Sequence, residues 1–200
     1  MRQVDFFFGL GSRYSYLAAT QVPLIARETG ARFVWRPLYS RMLIARAGRD
    51  PFAAEDRRGQ YDPAYRTTDA QRWARYYGVL YAEPDWDAID WRLLAMGCVA
   101  AELLGLAEPL ARALFAECFA KGGRPFDLDG LVRLAVPLGA PAEAFRALLT
   151  SDAVERRHEQ SISDALAAGA FGVPSFVVDG ELFWGQDRLP LLRRHLAAER

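Results

Sequence analysis

Lysine is almost missing from this 200-residue chain: Lys121 is the only one, and arginine carries the remaining basic charge. That skew reads as a bias of genome composition rather than a binding device. Acidic and basic residues balance, 25 against 25, so no global field draws the chain to nucleic acid or to a membrane surface. Cysteine is scarce as well. Cys98 and Cys118 are the only two; they lie too far apart for a CxxC pair, and no Cys/His cluster has metal-ligand spacing. Both fall in apolar helical patterns, which makes them small core residues. No run approaches the roughly 18 apolar residues of a membrane span. The opening MRQVDFFFGLGS also lacks the continuous apolar stretch of a signal peptide, so a cytoplasmic location is expected.

What is present is enough for a substantial core, since chains of about 150 residues already bury some 70% of the surface exposed on unfolding. Residues 4–8 form a short apolar and aromatic run ended by Gly9 and Gly11, and read as a buried strand. Ser12 precedes a helical pattern that stops at Gly30, and residues 33–37 form a second strand closed by Pro37. The first helix is long enough for a parallel crossover.

From residue 39 to 150 the pattern is helical throughout. Helices are expected over 69–77, 90–104, 109–120, 127–138 and 141–149, with a polar, breaker-rich loop over 48–63. Glycines at 78 and 105 serve as stops, and Asp127 and Pro141 as starts. Mixed structure then returns: a helix over 152–168, a strand over 175–178, a tight Asp179-Gly180 hairpin, a return strand over 181–184 and a closing helix over 187–198. The expected architecture is therefore α/β. A thioredoxin-like four-stranded mixed sheet is contributed by residues 1–38 and 151–200, with a large all-helical insertion over 39–150.

Three segments carry chemistry. Ser12 stands at the strand-to-helix junction, where unpaired N–H groups and the helix dipole favour an anion such as a thiolate; it also fits a plain N-cap. Val173-Pro174 opens a strand after a glycine-bounded turn, a place suited to either a cis or a trans peptide. Gln186 and Asp187 open the last helix, where Asp187 could cap the helix or accept a ligand's amino group, and Gln186 could donate to a carboxylate. Tyr14, Tyr16, Trp35, Tyr39 and Trp184 are candidate aromatic linings for a substrate pocket, or ordinary core residues. His158 and His195 sit in helices with no motif around them and are given structural roles.

The segments VDFFFGLGSRYSYLA, RWARYYGV and GAFGVPSFVVDGELFWGQDRL resemble the bacterial 2-hydroxychromene-2-carboxylate isomerases and the kappa-class glutathione transferases, within the wider disulfide-oxidoreductase superfamily. The resemblance spans the whole chain. It implies glutathione as cofactor, with Ser12 bonding the sulfur, the backbone of Val173 beside Pro174 pairing with the cysteinyl portion, and Gln186 and Asp187 holding the γ-glutamyl end. It also implies a small aromatic substrate and a homodimer. Tyr14, Arg49 and Trp184 would line the substrate pocket, with Arg49 able to grip a carboxylate bidentately. Three positions depart from the family pattern: Arg13 replaces a proline, Gly9 stands where an acidic residue is common, and Arg49 stands where Asn is usual. An isomerase is the expected activity. A kappa-type transferase and a non-catalytic glutathione-binding protein are the alternatives.

Overall fold

The computed structural model of the chain describes residues 1–48 and 62–198. Strand β1 (Gln3–Phe8) leads into helix α1 (Arg13–Thr29) and strand β2 (Arg32–Pro37). Six helices follow: α2 (Ser40–Arg46), α3 (Pro63–Tyr77), α4 (Trp91–Leu103), α5 (Ala107–Phe115), α6 (Leu128–Ala135) and α7 (Ala142–Leu149). The chain closes with α8 (Asp152–Ala167), β3 (Ser175–Val178), β4 (Glu181–Trp184) and α9 (Leu189–Ala197).

The four strands form one mixed sheet in the order β2-β1-β3-β4. β1 runs parallel to β2 and antiparallel to β3, and β3 pairs antiparallel with β4 through the Asp179-Gly180 turn. Alternation along β1 divides the two faces of the sheet. Val4, Phe6 and Phe8 join Trp35 and Phe176 in the main core, where Phe6 stacks on Phe176 with ring centroids 4.7 Å apart. That core continues without a break into Leu94, Phe115, Phe119 and Phe145 of the helical block. Phe7 points the other way and packs with Leu38, Leu43, Ile162 and Ala165, beneath α2 and α8. A chain of charges links β1, β2, α4 and α8. Arg36 pairs with Asp5 at 3.1 Å and Glu102 at 3.5 Å, and Arg157 meets Glu102 at 2.7 Å.

Four helices differ from the sequence expectation: α2 is an added short helix, α5 begins at Ala107 and passes into a π-helical turn over Ala116–Ala120, and α3 and α9 start elsewhere than expected. α3 begins at Pro63 rather than residue 69, because Asp62 caps it by accepting the Tyr65 N–H at 2.8 Å. Its early residues are polar and exposed, and Ala70 and Ala74 are its only buried ones, so its first turns carry no apolar stripe to read. The closing helix is preceded by a 3₁₀ turn at Gln186–Arg188, and Asp187 makes no capping bond. Among the described residues, no helix is long and apolar enough to cross a membrane, and no group of three or more His, Cys, Asp or Glu is placed to hold a metal ion.

Candidate functional site

The end of β1 and the start of α1 are joined by a tight turn. Ser12 donates its N–H to the Gly9 carbonyl at 3.2 Å and holds an extended backbone, φ −128°. Its hydroxyl oxygen accepts the Ser15 N–H at 3.1 Å, and its carbonyl accepts the Tyr16 N–H at 3.0 Å. Ser12 is therefore an N-cap. Capping uses an oxygen lone pair, so the hydroxyl hydrogen is left to donate elsewhere. The N–H groups of Arg13 and Tyr14, in the first turn, have no intrahelical acceptor. A half-exposed hydroxyl and two N–H groups thus converge where the helix dipole favours negative charge.

Neighbouring elements crowd this turn and fix its residue types. A Cβ at Gly9 would lie 2.9 Å from the Cβ of Ser40, which explains why no acidic side chain stands there. A Cβ at Gly11 would lie 3.2 Å from the indole of Trp91. On the third side stands the loop before β3. The β1–β3 register pairs Phe7 with Ser175, and continuing it by two places sets Val173 opposite Gly9. The Val173–Pro174 peptide is cis. The Pro174 carbonyl accepts the Gly185 N–H at 2.9 Å, and the Ser175 hydroxyl donates to the Gly172 carbonyl at 2.8 Å. Val173 lies beyond the ladder, and among the described residues its N–H and C=O have no hydrogen-bond partner.

Arg13 is only 9% exposed and fully engaged. Its guanidinium meets Glu83 Oε1 at 2.5 Å, donates to Thr67 Oγ1 at 3.2 Å and lies 4.9 Å over the Trp86 ring. Glu83 also accepts from the Tyr81 hydroxyl at 2.5 Å and from Trp86 Nε1 at 2.8 Å. Beside this network the Tyr14 hydroxyl donates to Asp69 Oδ2 at 2.9 Å, and Arg66 lies over the Tyr14 ring. Burial first, and then these carboxylate hydrogen bonds, push the Tyr14 and Tyr81 phenols well above their ordinary range, so both remain neutral donors.

The other residues singled out from the sequence are dispersed. Trp35 belongs to the core, in edge contact with Phe6 and Phe8, and is no pocket wall. Tyr16 is buried too, its hydroxyl donating to the Leu80 carbonyl at 2.5 Å. Tyr39 is the residue preceding α2. Trp184 is exposed and pairs with Phe171, ring centroids 4.9 Å apart, against the open face of Gly172. Gln186 is buried, its carbonyl accepting the Tyr77 hydroxyl at 3.2 Å, whereas Asp187 is exposed. Arg49 lies outside the described residues.

An open cavity of 680 Å³ lies further along α1, between α1, α3 and α9, where Gln21, Leu24, Trp73, Tyr76, Tyr77 and Arg193 line it. Its lining includes Asp69, which accepts the Tyr14 hydroxyl, and Tyr77, which donates to the Gln186 carbonyl, but not Ser12. Burial, then the neighbouring Tyr76 and Asp187, push the Tyr77 phenol up to about 12. The aromatic residues of the cavity come from the RWARYYGV segment, and only the fold turns that segment toward α9.

The model of the DSBA-like thioredoxin domain matches residues 3–197. A protein of Sphingobium xenophagum named 2-hydroxychromene-2-carboxylate isomerase is 29% identical over 205 residues, covering 98% of either chain. One of the same name from Pseudomonas putida is 29% identical over 191 residues, covering 94% of this chain and 91% of its own. A solved 2-hydroxychromene-2-carboxylate isomerase superposes with a TM-score of 0.82 at 26% identity, covering 97% of this chain and 94% of that one. A probable DsbA oxidoreductase of Streptomyces coelicolor shares the fold, with a TM-score of 0.70 at 21% identity over 98% of this chain and 88% of its own.

Proposed function

The chain belongs to the DSBA-like thioredoxin domain family, and from that footing we propose that it is a glutathione-dependent isomerase of the 2-hydroxychromene-2-carboxylate type. Its substrate class would be an aromatic α-keto acid or the corresponding cyclic hemiketal. The observation that carries this reading is the residue at the start of α1. Ser12 caps the helix with a hydroxyl where thiol–disulfide exchange would require a sulfur. Ser15, one turn on, is buried and offers none either. The two cysteines lie inside the core, where burial holds the Cys98 thiol far up and the Cys118 thiol at about 12. Neither buried thiol is placed for redox chemistry, which supports the reading that the sulfur comes with a ligand.

The residues present fit such a ligand. The Ser12 hydroxyl hydrogen and the first-turn N–H groups suit a thiolate, and the unpartnered N–H and C=O of Val173 suit an extended peptide-like backbone. Held by Ser12, the first-turn N–H groups and the Val173 backbone, glutathione would supply a thiolate for reversible covalent catalysis of isomerisation about a conjugated double bond. Ser12 holds the sulfur in its ionised form without itself becoming a nucleophile. Val173 would orient the cysteinyl portion from the side of β3. Asp187, exposed at the turn before α9 and 3.7 Å from the Arg188 guanidinium, would take the ligand's amino group. Tyr14 and Tyr81 are kept neutral, with their hydroxyls already donating to Asp69 and Glu83, so neither adds a charge to the site near neutral pH.

Calorimetric titration with reduced glutathione, beside Ser12→Ala, tests the site. Binding that weakens in the variant is expected. Turnover of an aromatic keto acid with the glutathione concentration unchanged would establish isomerisation, whereas stoichiometric consumption would indicate a kappa-type transferase. Absence of binding would overturn the reading.

A further inference from the structure

The residue that follows Ser12 is a buried cation, Arg13. Its three partners keep its guanidinium from swinging into water. Glu83 is equally fixed, because Tyr81 and Trp86 both donate to it. The remaining charges near the start of α1 are paired elsewhere or stand further out. Asp69 on α3 takes the Tyr14 hydroxyl, Arg66 lies over the Tyr14 ring, and Asp187 precedes α9. Arg13 and Glu83 are thus an opposed pair of held charges that begins one residue after Ser12. In a poorly solvated setting each acts on a neighbouring ionisation more strongly than it would in water.

We propose that Arg13 and Glu83 are a positioning pair that sets the acidity of a thiol held at Ser12: the cation favours the thiolate and the carboxylate moderates it. This rests on the reading of the start of α1 as a thiolate site. It adds that the acidity is governed partly from the helical block. Glu83 belongs to the segment between α3 and α4, which is pinned to α1 by the Tyr16–Leu80 bond and to Phe119 through Ala82 N–H, 2.6 Å. A merely structural pin makes a different statement, since loss of either partner would then loosen the turn in the same way. A charge-setting pair moves the thiol's acidity in opposite directions.

The test places the thiol in the chain. In a Ser12→Cys reporter, thiolate absorbance and the pH dependence of alkylation rate give the acidity directly, with buried Cys98 and Cys118 silent. Adding Arg13→Gln should raise the reporter's pKa by about one unit, and adding Glu83→Gln should lower it by roughly half a unit or more. Shifts of the same sign, or no shift in variants with unchanged circular dichroism, would overturn the proposal. If Arg13→Gln does not fold, the isosteric Glu83→Gln decides alone: a lowered pKa supports the pair, and an unchanged or raised one refutes it. Glutathione titration of the unaltered chain reports separately. Opposed shifts without glutathione binding would sink the functional reading and leave the pair standing, and binding without opposed shifts would do the reverse.

Discussion

The backbone N–H of Tyr39 donates to Nε2 of His158 at 3.0 Å, although 119 residues separate the two. His158 is fully buried, and its Nδ1 has no partner among the described residues. The bond needs a neutral ring, because an imidazolium has no lone pair to offer. Burial depresses the His158 pKa below its ordinary value, against the raising pull of Glu159 and Glu155 and with the help of Arg92 and Arg46. The unfolded chain therefore takes up a proton at a higher pH than the folded one does. Stability is fully present when both states are neutral, and declines as pH falls through the ordinary histidine range toward the depressed folded value. Urea midpoints compared at about pH 8 and about pH 5 should fall at the acid end, and His158→Gln, which keeps an acceptor but does not titrate, should flatten that decline. An equally steep decline in His158→Gln would refute the assignment.

Capping by Ser12 and the proposed anion binding there are separable. Ser12→Ala should lose about 1 kcal/mol of stability along with glutathione binding. Ser12→Asp should keep the stability to within about 0.5 kcal/mol, since aspartate caps as well as serine. Its carboxylate would nevertheless repel a thiolate and abolish binding. Denaturation curves and calorimetry on the two variants check both halves, and retained glutathione affinity in Ser12→Asp would count against the site.

Gly11 lies flat against Trp91. Gly11→Ala should cost about 1–3 kcal/mol, because the indole is itself held by its Nε1 bond to the Trp86 carbonyl at 3.0 Å and cannot withdraw freely. The lowered melting temperature should be accompanied by a change in tryptophan fluorescence, and a melting temperature equal to that of the parent would show that the wall yields.

The thiols of Cys98 and Cys118 should be inert toward an aromatic disulfide reagent in the folded protein at about pH 8 and should both react on denaturation. Rapid reaction of either one in the native state would remove the argument that the sulfur must be supplied from outside.

The core substitution Phe6→Ala should cost about 3–5 kcal/mol, since it removes contacts to Phe8, Trp35 and Phe176 at once. Chemical denaturation measures it, and a loss below about 1 kcal/mol would mean that the core collapses around the gap.

Much of this architecture is legible without coordinates. The apolar run ending at Gly9, the crossover helix stopped at Gly30 and the Asp179-Gly180 hairpin each follow a local rule, and each stands where the rule puts it. The Asp90 cap and the Asp127 cap mark true helix starts for the same reason. Local rules fail where a partner lies far along the chain. Nothing around Arg13 announces Glu83, and nothing around Trp35 shows that its alternation in β2 turns it toward Phe6 and Phe8 rather than toward a ligand. Ser40 next to Gly9 is equally invisible to spacing arguments. The Ser12 cap was legible and its free hydroxyl hydrogen follows from chemistry, but the identity of its walls came only with the fold.

β1 occupies an inner position, bordered by β2 from the same end of the chain and by β3 from the other. During synthesis, therefore, β1, α1, β2 and the entire helical block leave the ribosome while one edge of β1 still has its hydrogen-bonding groups open. That edge closes only when the segment from Ser175 onward emerges, which sets Val173 opposite Gly9 in the same event. A nascent chain stalled before that point would hold most of the fold's mass while the β3 side of the Ser12 turn was still missing.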